Sequence, residues 1–338
     1  MASLKETKGR IASVKSTLKI TSAMKMVASA KLHKAQNAIA SMTPYERKLR
    51  EMLQLLLATV PASKVGISPL KTSGSAGPLP SDDGPLPLMM PRVAQFSGGT
   101  SAPSSNEDFF SGGETPAVKT GTAKTVAIVA VASNSSLCGG FNGNVVREVR
   151  ARIKALEGEG CKVEVIAVGK KVADPMKKAG YPSPEDWNEL VAHTSYAGAD
   201  ALAEKLQKAF YSGKYDRIEL IYNHFVSTAT QKVVCDTYLP MAPLSVEDGA
   251  TRTWPEDLII EPSAEEMLAD LLPLVRSLRL YTVILDSVAA EHAARTVAMQ
   301  TATDNGEDIL QQLTLEYNKG RQQKITSEIL DIVGGSMQ

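Results

Sequence analysis

Two stretches at the ends of this chain constrain it more than anything between them. After Gly9 there is no glycine up to Ala58 and one proline, Pro44, and after Pro273 there is no proline through Val333. Without breakers, apolar residues at threes and fours write long helices. Ser3 followed by Glu6, and Ser263 followed by Glu266 behind Pro262, are S-x-x-E patterns in which hydroxyl and carboxylate satisfy free N–H groups at a helix start. Gly334 and Gly335 supply a stop. Sixty residues at about 1.5 Å each span roughly 90 Å, far longer than a domain core requires.

The apolar pattern predicts that these helices pack on each other. Ile11, Val14 and Leu18 form one seam, continued after a phase slip by Met24, Val27 and Ala28, then Leu32, Ala35, Ile39 and Met42. On the second helix Ala302, Ile309, Leu313, Tyr317 and Gly320, then Ile325, Ile329 and Ile332, read with a slip as well. A slipped three-four pattern predicts an irregular antiparallel coiled coil, kinked near Pro44. The chain between must then return to its starting end, so the middle folds as a compact domain.

Residues 61–124 hold nine Pro, nine Gly and ten Ser, too little apolar content to offset the entropy of ordering them. They read as a disordered insertion, with no folded domain over 65–120 and with Phe109 and Phe110 as its best anchors for a contact elsewhere. Beyond it, Val126–Ala132 is a buried strand. Helix at Val145–Leu156, strand at Val163–Val168, short helix at Lys170–Lys178, helix at Ala199–Tyr211 and strands at Arg217–Tyr222 and Lys232–Tyr238 follow. Alternating strand and helix predicts a Rossmann-like α/β domain with a mainly parallel sheet. The fold class is therefore α/β with a long antiparallel coiled coil, divided into an N-terminal helix over 1–60, the insertion over 61–124, the α/β domain over 125–262 and a C-terminal helix over 263–338.

Charge narrows the function. Lys plus Arg and Asp plus Glu are 37 each, which argues against a nucleic-acid-binding surface over the whole molecule. Local charge is another matter: the first forty residues hold eight basic side chains against Glu6 alone, a surplus of seven. A removable transit peptide also starts basic and Ser-rich, but here the pattern runs unbroken into Tyr45–Leu57. The longest apolar run, Met52–Val60, is too short to span a bilayer.

Candidate chemistry is sparse. Leu137-Cys138-Gly139-Gly140-Phe141-Asn142-Gly143 lies between strand and helix, where free N–H groups can cradle phosphate. Its glycines are spaced G-G-x-x-G, not G-x-G-x-x-G, and Gly169, Lys170 and Lys171 stand where a ribose-binding acid would end the second strand. They read as turn residues. Gly121-Thr122-Ala123-Lys124-Thr125 lacks the glycine before lysine and precedes a strand, so it is no Walker loop. His33, His193, His224 and His292 are scattered, and Cys138, Cys161 and Cys235 form no C-x-x-C pair, so no metal site or redox couple is expected. Cys138, in the glycine-rich loop, has no neighbouring histidine to activate it. No catalytic residue, cofactor or metal is predicted.

Three blocks carry a resemblance. KGRIASVKSTLKITSAMKMVASAKL over Lys8–Leu32, SNSSLCGGFNGNV over Ser133–Val145 and the run from Ala293 to Val333 resemble the gamma subunit of F-type ATP synthase, the central rotor shaft. The resemblance covers nearly everything outside the insertion. It implies that the terminal helices form a coiled coil inside a hexamer of alpha and beta subunits, that the α/β domain is a foot on the membrane c-ring, and that an epsilon subunit stands alongside. It also implies a non-catalytic subunit of a proton-translocating enzyme, peripheral to the bacterial inner membrane on its cytoplasmic side, with no nucleic-acid partner. Positions matching contacts with acidic loops of the beta subunits are Met24 and Lys25 on the first helix and Arg295, Gln322 and Thr326 on the second.

Two departures stand out. Asn134-Ser135-Ser136 replaces a common Asp-Arg-Gly, and Gly320 replaces a usual alanine, which softens the helix by about 1 kcal/mol. The insertion is longer than the usual connector. Two other readings stay open on sequence alone: an α/β nucleotide-binding enzyme with helical extensions, and a coiled-coil adaptor. Antiparallel pairing is expected to set Met24 opposite Arg295–Met299 or Arg321–Thr326.

Overall fold

The computed structural model describes residues 4–59, 124–241, 260, 261 and 263–336. Ser3, Pro262 and the insertion through residue 123, with Phe109 and Phe110, lie outside them. Helix α1 runs over Leu4–Thr59. The domain follows as β1 (Thr125–Val131), α2 (Phe141–Gly158), β2 (Lys162–Val168), α3 (Lys170–Lys178), α4 (Asn188–Ala192), α5 (Tyr196–Tyr211), β3 (Arg217–Phe225) and β4 (Gln231–Leu239), and α6 spans Ala264–Ser336. The five-residue α4 is not in the sequence reading; too short for a 3.6-residue period to show, it is held by the burial of Leu190.

The two long helices form a regular coiled coil, not a slipped one. Positions 4, 7, 11, 14, 18, 21, 25, 28, 32, 35 and 39 of α1 are all buried or half-buried and fall on one unbroken alternation of threes and fours, with half-buried Ala38 beside it. On α6 the positions 299, 303, 306, 310, 313, 317 and 320 do the same. The expected slip arose from taking apolar residues as the seam. Thr7, Thr21 and Lys25 occupy seam positions, whereas Met24 and Val27 are 40% and 56% exposed, and Ile309, Ile325, Ile329 and Ile332 point outward too. A 3.5-residue repeat is what keeps two helices facing each other over many turns.

The register is fixed at three levels. Leu4 lies over Gly320, Leu18 over Gly306, and Thr303 Oγ1 donates to Thr21 Oγ1 at 3.0 Å. The two residue numbers of each pair add to the same total, so the helices run antiparallel without a skip. Lower down, Leu32, Ala35 and Ile39 pack with Leu285, Ala289 and Ala293, and Leu53 and Leu56 pack with Leu268. Pro44 and Pro273 both lie within continuous helix. At the start of α6 the Ser263 hydroxyl accepts from the Glu266 N–H at 3.2 Å, the bond a capping serine makes.

The sheet has the order β2-β1-β3-β4, parallel except for the antiparallel β3–β4 pair. Central β1 is apolar on both faces because both are covered. Val126, Ile128 and Ala130 pack with Val145, Val149 and Ile153 of α2 and Val172 and Met176 of α3. Ala127, Val129 and Val131 pack with Leu202 and Leu206 of α5 and with Leu280 and Ile284 of α6. The lower part of α6 is thus a layer of the domain as well as half of the shaft.

Candidate functional site: a shaft groove closed by the domain loop

Parallel α/β sheets bind ligands beyond the carboxyl ends of their strands, where neighbouring connections leave in opposite directions. Here β1 and β3 define that crevice, and α6 fills it. Ala290 and Ala294 of α6 pack with Cys138 and Phe141 of the glycine-rich loop, and the Cβ of Ala298 is 4.0 Å from where a side chain on Gly139 would begin. Gly139 has a φ of +59°, a left-handed turn that lets the loop pass under the helix. Asn142 ties the loop to itself: its Oδ1 accepts the Ser133 N–H at 3.1 Å, and its Nδ2 donates to Cys138 Sγ at 3.1 Å. Burial raises the Cys138 thiol above its ordinary range, the opposite of an activated nucleophile. The four sequence histidines and three cysteines form no metal-binding cluster among the described residues.

Where this loop meets the shaft it forms one wall of a groove of about 590 Å³. Ile20, Met24, Val27 and Lys31 supply the α1 wall, with Lys19 beside them. These four recur at helical spacing, which is the sequence signal for the face. Ser135, Ser136 and Leu137 close the groove from the domain, and His292 and Arg295 from α6. Leu137 has a φ of +68° and is 57% exposed, an apolar side chain on the groove wall carried by a strained backbone.

Arg295 is the tie between shaft and loop. Its Nη1 donates to Glu291 Oε1 at 2.6 Å, and its Nη2 donates to Ser135 Oγ at 2.6 Å and to the Ser136 carbonyl at 3.3 Å. Asn134-Ser135-Ser136, the departure from the usual loop, thus supplies two of its acceptors. Burial pushes the Glu291 carboxyl up against the pull of Arg295. Burial, then the charges of Arg295 and Lys31, push His292 down to about 4, so it is neutral at pH 7. The groove therefore has apolar walls and a rim of three cations, Lys19, Lys31 and Arg295.

The structure brings Met24 and Arg295 to one groove, with Lys25 half-buried in the adjoining seam. The register sets Met24 level with Gln300, so of the two segments expected opposite it, the lower is the one that faces it. Gln322 and Thr326 lie about 35 Å higher, beyond the described start of α1, exposed and joined by the Thr326 hydroxyl donating to the Gln322 carbonyl at 2.9 Å. Lys19 and Lys31 belong to the basic surplus of the first forty residues, whereas sequence reasoning did not place Leu137 and His292 in this site, because the loop's proximity to α1 is a tertiary fact.

A long two-helix rod whose lower end is built into a small α/β domain, with one of its helices filling the crevice of the sheet, defines a stalk-like protein. Comparison with known proteins agrees. A family model described as ATP synthase matches residues 3–337. The ATP synthase gamma chain of Phocaeicola vulgatus is 44% identical over 338 residues, covering all of both chains. That of Flavobacterium johnsoniae is 40% identical over 99% of this chain and 98% of its own. Among solved structures, a chain of the Euglena gracilis mitochondrial ATP synthase OSCP/F1/c-ring assembly superposes with a TM-score of 0.55 at 17% identity, over 99% of this chain and 93% of that one, a likeness of fold. The chain belongs to the ATP synthase gamma chain family, the central stalk subunits of the F-type enzyme.

Proposed function

We propose that this chain is the rotor of a proton-translocating ATP synthase, non-catalytic by itself, turning within alpha and beta subunits. The observation that carries this reading is the filling of the β1–β3 crevice by α6: where α/β sheets commonly take a ligand, the described residues place the shaft helix. The resemblance adds the partners. The domain over 125–262 is the foot, seated on the c-ring with an epsilon subunit beside it, at the cytoplasmic face of a bacterial inner membrane.

Met24, Lys25 and Arg295 then meet acidic loops of the beta subunits at the groove, and Gln322 and Thr326 meet partners at a second, higher level. The chemistry suits passing contact. Unit charges 4 Å apart at an effective dielectric of about 20 attract by about 4 kcal/mol, and each 1.4 kcal/mol of extra binding at one angle slows the next step roughly tenfold. Cations spread over Lys19, Lys31 and Arg295 let attraction pass from one subunit to the next without a deep minimum.

Co-expression of the tagged chain with the alpha and beta subunits of its own source tests the reading. Recovery of all three in one complex that hydrolyses ATP is expected, and a chain purifying without them would favour the adaptor. Saturable binding of ATP or NAD to the isolated chain at micromolar levels would favour the enzyme.

A further inference from the structure

Among the described residues, polar links reach α6 from α5, β3, β4 and the β1–α2 loop, the first being Arg276 Nη1 donating to the Tyr211 hydroxyl at the end of α5 at 2.5 Å. The Tyr238 hydroxyl on β4 donates to the Arg276 carbonyl at 3.1 Å, and Arg279 donates from Nη2 to Asp236 Oδ2, also on β4, at 2.5 Å. Asp286, fully buried on α6, accepts His224 Nδ1–H at 2.7 Å and the Phe225 N–H at 3.1 Å, both from the end of β3. Arg295 holds the β1–α2 loop as described above. Residues 276, 279, 286 and 295 span about 28 Å of α6, and between them Leu280, Val283 and Ile284 are buried in the domain's own core. Helix α1 packs along α6, and its buried residues at this level, Leu32, Ala35 and Ile39, join the α6 residues Leu285, Ala289 and Ala293, with Phe225 of β3 packed against the same cluster.

From these links we infer that torque crosses between foot and shaft through α6, with Arg279–Asp236 and Asp286–His224 as its positioning pairs. The inference rests on the rotor reading. Apolar packing is non-directional and lets a helix slide or roll in its seat, whereas charge-assisted bonds at fixed positions resist both and are roughly twice as strong as neutral ones. Two such pairs, about two turns apart on α6 and anchored on different strands, fix rotation about the helix axis as well as translation along it. The upper shaft contains neither pair, so hydrolysis by the catalytic hexamer does not depend on them.

The test uses the whole synthase in inverted membrane vesicles, with ATP hydrolysis and ATP-driven proton pumping measured together. Arg279→Ala and His224→Ala are each expected to leave hydrolysis near wild type and to lower protons pumped per ATP about threefold. The exchange of Arg279→Asp with Asp236→Arg is expected to restore the ratio that Arg279→Ala loses, which a general loss of stability would not allow. A wild-type ratio in both single variants overturns the inference. So does a defect, in pumping or in assembly, that the exchange fails to repair. A wild-type chain that neither joins the complex nor supports pumping would instead overturn the rotor reading itself.

Discussion

Leu18 lies so close to Gly306 that a Cβ on the glycine would stand 2.7 Å from Leu18 Cδ2. Four turns higher, the same construction at Gly320 would leave 3.1 Å to Leu4 Cδ2. Alanine at either glycine gains about 1 kcal/mol of helix propensity, offset by whatever the leucine must yield. Gly320→Ala is expected to raise stability by about 0.5 kcal/mol or more, since Leu4 needs to give only tenths of an ångström, whereas Gly306→Ala is expected to gain nothing. Thermal unfolding of the full chain checks this order, and a larger gain at Gly306 would refute it.

Met24→Lys would place a fourth cation in the groove already rimmed by Lys19, Lys31 and Arg295. Met24 is outside the seam, so the coiled coil and assembly should survive. An added charge deepens attraction to acidic loops at some angles more than others, and about 1.4 kcal/mol of such unevenness slows stepping tenfold. ATP synthesis driven by a proton gradient should fall severalfold in fully assembled complexes. Unchanged synthesis would count against the contact assigned to this groove.

Gly169 turns the chain from β2 into α3 with a φ of +111°, and a Cβ there would lie 2.1 Å from the Ala132 carbonyl oxygen. Backbone cannot swing aside as a side chain does. Gly169→Ala is expected to cost about 3 kcal/mol or more, read as a lowered denaturant midpoint, and Gly160→Ala, with open space around it but a φ of +77°, about 1 kcal/mol.

Glu219, buried on β3, receives two bonds at 2.7 Å from Arg152 and stands 3.0 Å from Arg217 Nε. Burial raises its carboxyl, but Arg152 and Arg217 outweigh burial and hold it below the usual range. Its stabilisation is therefore present at neutral pH and lost as acid takes the carboxylate away. Glu219→Gln leaves two guanidinium groups without their counter-charge and should cost about 3 kcal/mol in urea unfolding at pH 7. A cost below about 1 kcal/mol would mean that the arginines find water instead.

His292 makes stability fall on acidification in a separate window. The unfolded chain takes up a proton near pH 6.5, while the folded chain resists until about 4. Stability from this group is whole above 6.5 and is lost as pH falls to about 4, by up to about 3 kcal/mol before solvent screening and roughly half of that after it. His292→Gln should flatten the denaturation profile between these limits, and an unaltered slope would disprove the assignment.

Much of this architecture is legible in the sequence because its signals are local. The apolar run Val126–Ala132 has no polar face, so it had to be a strand covered on both sides, and helix α3 falls on Lys170–Lys178 as its turn residues dictate. The seam was legible only in part. Polar Thr7, Thr21 and Lys25 occupy it too, Thr21 bonded across it to Thr303 and Lys25 half-buried, as a long side chain can be when its stem lies against apolar surface.

By itself the sequence determined two long helices, an alternating α/β middle and a basic first helix, since propensity, spacing and charge are properties of neighbours along the chain. Tertiary structure alone decided the pairing of Leu18 with Gly306, the seating of α6 in the sheet's crevice and the meeting of Met24, Leu137 and Arg295 in one groove. Those residues are separated by more than a hundred positions, and what brings them together is the fit of one helix against a second helix and a sheet at once. Such a fit is a sum over contacts that no local window of sequence contains.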